Sequence, residues 1–172
     1  MAVPQGESIF YETETPQASR ELADLKAKGN YEAPFEVVRR RVIDDFYEGR
    51  MTIDATVMIR VGDVEQTEAA RGVGVVHAFD NALRKALLKY FPYLESVRVT
   101  ETYAHASGES TEAEVMSVKK FSDGKLHWTT LAKSTNLVEA GWRSLVDGYE
   151  WRIIQEIRKL RRQNENPRFS RR

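Results

Sequence analysis

The sequence predicts an α+β fold, two strand-strand-strand-helix units related by a pseudo-two-fold, the second ending in a long C-terminal helix. Three observations predict it. Short alternating apolar segments give way to helical periodicity twice, in residues 35–90 and again in 94–151, and such doubling marks an internal repeat. The two stretches also share local sequence: Ala55-Thr56-Val57-Met58 matches Ala113-Glu114-Val115-Met116, and His77-Ala78-Phe79-Asp80-Asn81-Ala82-Leu83 matches Glu139-Ala140-Gly141-Trp142-Arg143-Ser144-Leu145. Matching positions lie further apart at the helices than at the strands, a difference that a longer second hairpin absorbs. Finally, Val138, Trp142, Leu145, Tyr149, Ile153, Ile157 and Leu160 form one apolar stripe at three- and four-residue steps, with no proline before Pro167.

The elements follow in order. Residues 1–16 are polar, with Pro4, Gly6 and Pro16, and read as an arm. Leu22 and Leu25 support a short helix from Pro16 to Lys28, stopped by Gly29-Asn30. Phe35 to Tyr47 is a strand with Val38, Val42 and Phe46 on one face and Arg39, Arg41 and Asp45 on the other, and Glu48-Gly49-Arg50 turns the chain. Ala55, Val57, Ile59 and Val61 share a face of the next strand, Gly62-Asp63 is a two-residue hairpin turn, and Val64 to Ala70 returns as a polar third strand. Gly72-Val73-Gly74 opens a helix with Val76, Phe79, Leu83, Leu87 and Tyr90 in its stripe, and Pro92 ends it.

In the second unit Val97, Val99, Glu101, Tyr103 and His105 line one strand face, Gly108-Glu109-Ser110 turns, and a strand runs from Ala113 to Phe121. Asp123-Gly124 signals a type I′ hairpin leading into Leu126-His127-Trp128-Thr129-Thr130-Leu131. Ser134 or Thr135 caps the last helix, with Glu139 near the reciprocal capping position. Run to Arg162, this helix reaches about 40 Å at 1.5 Å per residue, longer than one small sheet covers. Its outer half therefore calls for a partner, most simply the same helix of a second copy.

Composition narrows the function. The 172 residues suit one domain, and 26 basic against 26 acidic residues leave no net charge, which speaks against a surface built throughout for nucleic acid. The charge is uneven: Arg152, Arg158, Lys159, Arg161, Arg162, Arg168, Arg171 and Arg172 in the tail face only Glu156 and Glu165. Without cysteine there is no disulfide, thiolate nucleophile or zinc-thiolate site. Met1-Ala2-Val3-Pro4-Gln5-Gly6-Glu7 has no basic start or apolar stretch, and no run is long and apolar enough for a membrane, so a soluble cytoplasmic protein is expected.

Chemistry-bearing residues are few. His77, His105 and His127 sit on separate elements without the spacing that gathers metal ligands, so no metal or cofactor is expected. His77 stands out, because it lies in the first turn of a helix whose free amides favour a neutral imidazole. Gly72-x-Gly74 lacks the rest of a phosphate-binding pattern; a tight strand-to-helix turn requiring positive φ explains it equally well. No serine sits in a nucleophile elbow. The run Arg158-Lys159-Leu160-Arg161-Arg162 is the solvated end of a helix or a contact for phosphates.

Two stretches carry a family resemblance. Gly72-Val73-Gly74-Val75-Val76-His77-Ala78 resembles the Gly-x-Gly-Pro-Val-Asp-Ala helix start of the C-terminal regulatory domain of alpha-isopropylmalate and citramalate synthases, with Val75 at the proline and His77 at the acidic position. Trp128 to Ala140 resembles that domain's second strand-to-helix junction, with Ala132-Lys133 in place of a glycine and an apolar residue, and Asn30 to Glu36 is a fainter match. The resemblance spans residues 30–155. It implies a dimeric α+β module that binds leucine or isoleucine and feeds back on a separate catalytic barrel, for which these residues contain no counterpart. By position it implies an effector pocket from Val76 and His77, from Val99, Thr102 and Ala106, and from Thr111 and Ala113, with Gly72 and Gly74 forming the helix-start turn.

The expectation is therefore a non-catalytic module in three parts: an arm and short helix over 1–30, a regulatory domain over 31–155, and a basic extension over 156–172. It forms a homodimer, senses a branched-chain amino acid or related small molecule, and acts on a separate synthase subunit. Leu137, Trp142, Leu145 and Tyr149 hold helix to sheet while Ile153, Ile157 and Leu160 serve the interface. The alternatives are a small nucleic-acid-binding protein using the basic tail, or an enzyme with His77 and His105 as acid and base.

Overall fold

A computed structural model of the chain describes residues 15–107 and 113–165. Helix α1 (Gln17–Ala27) precedes the first unit, in which β1 (Glu36–Tyr47), β2 (Arg50–Val61) and β3 (Val64–Gly72) form an antiparallel sheet in sequence order. Helix α2 (Val75–Leu88) lies over β2 and β3 and buries Ala78, Phe79, Ala82, Leu83, Ala86 and Leu87 against Ile53, Ala55, Val57 and Ile59. A 3-10 turn over Pro92–Ser96 leads to the second sheet, β4 (Arg98–Ser107), β5 (Glu114–Ser122) and β6 (His127–Ser134), also antiparallel in sequence order. Helix α3 (Leu137–Glu165) crosses β5 and β6.

Hairpin chemistry fixes both strand registers. Glu48 and Gly49 both take positive φ between the paired Tyr47 and Arg50, the left-handed pair of a type I′ turn. Gly62 alone does so between Val61 and Val64. At Asp123 the expectation fails. The hairpin closes at Ser122 and His127, because the Asp123 carboxylate accepts the amides of Lys125 (2.9 Å) and Leu126 (2.7 Å) and builds a four-residue loop instead of a two-residue type I′ turn.

The repeat itself has one constant register. Strand pairing and helix starts match Val37 with Val99, Ala55 with Ser117, Val57 with Lys119, Gly72 with Ser134, Gly74 with Asn136, Leu83 with Leu145 and Leu87 with Tyr149. The Ala-x-Val-Met match is thus a coincidence shifted by four residues, and no change of spacing needs absorbing. Both edge strands carry a bulge at equivalent places, Val38 in β1 and Thr100 in β4. Each bulge reverses the alternation behind it. Val37, Arg40 and Val42 therefore face α2, and Val38 is turned out. In β4 the face of Val99 continues through Thr102, Ala104 and Ala106, whereas Glu101, Tyr103 and His105 move to the other side.

The end of α3 also departs from expectation. Over 29 residues it reaches about 43 Å, yet Ile153 is fully buried and Ile154 nearly so within the single chain. Helix α1 supplies the cover that a second copy was expected to give. It lies against α3 and β6, and Glu21 accepts the Trp151 indole N–H at 2.8 Å and the Gln155 amide at 3.3 Å. Only Leu160 remains exposed from the trio assigned to an interface, since Ile157 is half-buried. Leu137, assigned to the helix-sheet contact, is exposed as well, while Trp142, Leu145 and Tyr149 are buried as expected. The cap is Asn136, whose side-chain oxygen accepts the Glu139 amide at 3.0 Å; Ser134 supports the turn by accepting the Asn136 amide at 3.1 Å.

Packing between helix and sheet is set by small residues. A Cβ at Gly72 would lie 2.3 Å from the Ala78 backbone nitrogen, so close approach of β3 to α2, and not positive φ, requires glycine there; Gly74 is extended and faces open space. At Gly148 a Cβ would meet the Phe121 ring at 2.1 Å. The matching pair in the first unit is Ala86 and Ile59. A larger strand residue is thus accommodated by a smaller helix residue.

Candidate functional site

The two units meet where the starts of α2 and α3 cross, with Phe79 against Trp142 at 4.9 Å between ring centroids and Val76 against Gly141. The pseudo-two-fold through this contact creates two equivalent sites, each bounded by an edge strand, the start of the opposite helix and the middle strand beside it. Their contents differ.

In the first site Arg40 of β1 reaches across to α3. Its guanidinium lies 5.6 Å from the Phe79 ring centroid and 5.2 Å from that of Trp142, and it hydrogen-bonds the Glu139 carboxylate, which also holds Arg143 at 2.6 Å. Val57 forms an apolar floor with no exposed surface. The site is filled by protein.

The symmetry carries Arg40 onto Thr102, Glu139 onto His77, Phe79 onto Gly141, Trp142 onto Asp80, Val57 onto Lys119 and Leu87 onto Tyr149. Thr102 is short and exposed where Arg40 is long and inserted. Among the described residues no helix packs along β4 as α2 and α3 pack along the neighbouring strands, and Thr102, Ala104 and Ala106 remain an open, small-residue shelf on the helix side of the sheet. Beneath it Lys119 is completely buried, and its Nζ has no hydrogen-bond partner. Burial pushes this ammonium down to about 8, with Asp80 pulling it back up. Asp80 accepts the Tyr149 hydroxyl through Oδ1 at 2.7 Å. Burial raises the Asp80 carboxyl, against the pull of Tyr149, Arg84, His77 and Lys119, and burial with the Asp80 charge raises Tyr149 well above its ordinary range.

The other buried charges contrast with Lys119. Glu150 is held by Lys26 at 2.9 Å and by the Tyr31 hydroxyl, and Arg152 bridges Asp123 at 2.8 Å and Glu156 at 3.0 Å. Among the described residues Lys119 Nζ and one Arg40 nitrogen are the buried side-chain donors left unmatched, and the Arg40 group has Glu139 for its second nitrogen. The second unit's core is more polar throughout. Ser117 meets Ser144 at 3.1 Å and Thr130 donates to the Ser144 carbonyl at 2.6 Å, where the first unit has Ala55 and Ala82 opposite.

The expected effector residues fall around this second site. Val99, Thr102 and Ala106 share the helix-side face of β4, Ala113 leads into β5, and Val76 and His77 start α2; Thr111 lies outside the described residues. His77 is exposed, and its Nδ1 accepts the Val73 amide at 3.2 Å, which requires that nitrogen to be deprotonated. His105 lies on the opposite face of the sheet, so the two histidines cannot share a substrate as acid and base. Among the described residues no cluster of three His, Asp or Glu is placed to hold a metal, and no helix is long and apolar enough to cross a membrane. In the basic run Lys159 pairs with Glu156 at 3.5 Å and Arg158 approaches Glu21 at 3.9 Å, while Arg168, Arg171 and Arg172 lie outside the described residues.

Lys119 and Asp80 escape sequence reasoning, although Lys119 carries a signal: it sits at an inward position between Ser117 and Phe121. Two cavities were not anticipated either. One of about 470 Å³ opens between the start of α1 and β6, lined by Ala18, Val118, Trp128, Leu131 and Trp151. Another of about 630 Å³ runs beside Phe35, Val37 and α3, but its charged lining is taken up by the Lys26, Asp147 and Glu150 pairs.

The chain is similar to known proteins over most of its length. A family model described as the LeuA allosteric (dimerisation) domain matches residues 15–152. The chain is 32% identical over 155 residues to an (R)-citramalate synthase of Geobacter sulfurreducens, covering 88% of this chain and 29% of that protein. It is 32% identical over 153 residues to the (R)-citramalate synthase of Aquifex aeolicus, covering 85% and 28%, and 30% identical over 148 residues to a 2-isopropylmalate synthase of Shewanella amazonensis, covering 85% and 25%. It thus spans less than a third of the length of each of these relatives.

Proposed function

Because the chain belongs to the LeuA allosteric (dimerisation) domain family, we propose that it is a regulatory module that binds a branched-chain amino acid, leucine or isoleucine, at the second of its two pseudo-symmetric sites. The observation that carries this reading is the difference between the sites. The fold requires no charge at the positions of Lys119 and Asp80, since the first site has Val57 and Trp142 there, both buried, and is plugged by Arg40. The second replaces the plug with Thr102 and Gly141 and leaves an open shelf of small residues. In this reading Val76, Val99, Ala106 and Ala113 receive the aliphatic side chain, with Thr102 and His77 at the rim.

The module is non-catalytic on its own and works as a homodimer, acting on a synthase active site carried elsewhere, in the same polypeptide or a separate subunit. Thermal unfolding with leucine, isoleucine, valine and unbranched norleucine tests the sensor. A ligand at 100 times its dissociation constant stabilises by about 2.7 kcal/mol, a midpoint rise of roughly 5–10 °C for a domain of this size. A rise confined to one branched amino acid is the expected result; no rise with any of them at millimolar concentration overturns the reading.

A further inference from the structure

We propose that Lys119 and Asp80 recognise the two charged ends of a free α-amino acid, Lys119 the carboxylate and Asp80 the ammonium group. The inference rests on the effector reading above and adds to it the chemistry of the charged ends. An amino acid is a zwitterion, and a site that selects it over an alkylamine or a fatty acid needs one fixed charge of each sign, close together but not neutralised by each other. The second site has such a pair. Among the described residues Lys119 Nζ is fully buried with no hydrogen-bond partner, and Asp80 is the charged neighbour that acts on it. Asp80 is held in place by Tyr149 through Oδ1.

The protein's own duplicate shows that the fold does not need these charges. At the equivalent positions Val57 and Trp142 are buried in the same fold with no charge. An ammonium with no partner destabilises a folded chain, and such a group persists where a ligand completes it. The route to it is the β4 shelf: Thr102 pairs with Lys119 across the strands and is the position from which the plugging arginine is missing. A ligand lying on that shelf brings its carboxylate over Lys119 while its side chain lies toward Val99 and Ala106. The first site, plugged by Arg40, cannot take the same ligand.

The test separates charge recognition from the sensor reading by trimming the ligand as well as the protein. Affinities of the 172-residue chain are measured by calorimetry for leucine, for 3-methylbutylamine, which lacks the carboxylate, and for 4-methylpentanoate, which lacks the ammonium group. Each trimmed ligand should bind roughly 10- to 100-fold more weakly than leucine, the loss expected for a charge-assisted hydrogen bond. Lys119→Met should weaken leucine and 4-methylpentanoate to a similar degree and leave 3-methylbutylamine unchanged; Asp80→Asn should do the reverse. The ligand series needs no variant, so a folding defect in either mutant leaves the proposal open to refutation. Leucine binding of wild-type strength in both variants overturns the charge assignment while the sensor stands. Absence of branched-chain amino-acid binding by the wild-type chain overturns both.

Discussion

Replacing Lys119 by methionine should make the protein more stable, an unusual outcome for a fully buried residue. The lysine falls from its ordinary 10.5 to about 8 in the folded chain. That difference corresponds to about 3 kcal/mol at 1.36 kcal/mol per pK unit. The folded state holds this proton less tightly than the unfolded state, so the penalty is fully present below about pH 8, declines between pH 8 and 10.5, and is gone above it. Methionine has nearly the same length and fills the same space without a charge. Some of the gain is offset because Asp80 loses its cationic neighbour, although Tyr149 and Arg84 still act on it. The expected gain at pH 7 is therefore about 2–3 kcal/mol, or roughly 4–10 °C in the midpoint. At pH 9.5 the same two-pKa arithmetic leaves about half of it. Urea unfolding of wild type and Lys119→Met at both pH values measures the difference, and tyrosine titrations common to the two proteins cancel. A variant less stable than wild type at pH 7, or a gain that does not shrink at pH 9.5, refutes the description of Lys119 as an uncompensated buried cation.

Two further outcomes follow from the duplication and from the exposed apolar surface. Gly148→Ala drives a Cβ into the Phe121 ring and should cost about 2–4 kcal/mol by overpacking, whereas the double change with Phe121→Ile reproduces the Ala86 and Ile59 pair of the first unit and should recover at least half of that loss in a denaturant-based double-mutant cycle. Phe46, Tyr47 and Met51, exposed by 70, 70 and 63% at the end of the β1–β2 hairpin, are apolar surface available to a second copy; Phe46→Ser with Met51→Ser should raise the dimer dissociation constant at least tenfold in analytical ultracentrifugation without shifting the monomer's far-UV spectrum, and unchanged association places the interface elsewhere.

Order and type of the elements were legible because hydrophobic periodicity and turn chemistry are local. Gly62 and the Glu48-Gly49 pair mark their hairpins directly, and the stripe of α2 is buried as its spacing predicts. Features set by tertiary contact were not legible. A bulge is one extra residue, and nothing in Arg98 to Ser107 announces that the alternation reverses at Thr100. The stripe of α3 called for a cover along its outer half but did not name it, because α1 is distant in sequence and its short apolar face gives no address. The β4 shelf proposed for the effector came through the family resemblance, by position. Its charged floor did not, because a lysine in a strand of alternating polarity reads as solvent-facing until the register is known.

The duplication lets stability and function be separated within one chain. Two units with the same strand register, the same bulges and the same helix starts differ chiefly in that the second has a polar core: Ser117 for Ala55, Lys119 for Val57, Ser144 for Ala82 and Tyr149 for Leu87. Selection for folding alone would let such positions converge on the apolar solution, which the first unit shows to be available. An uncompensated ammonium at Lys119 instead leaves the free second unit short of stability by an amount that a bound carboxylate can return. Since a ligand that binds only the folded state stabilises it by its binding free energy, the proposed recognition by Lys119 would tie effector binding to the ordering of α2 and α3, the helices through which the two units touch. On that account Lys119→Met does more than weaken binding. It yields a domain that is already stable without effector and has lost the energetic contrast between free and bound states on which regulation depends.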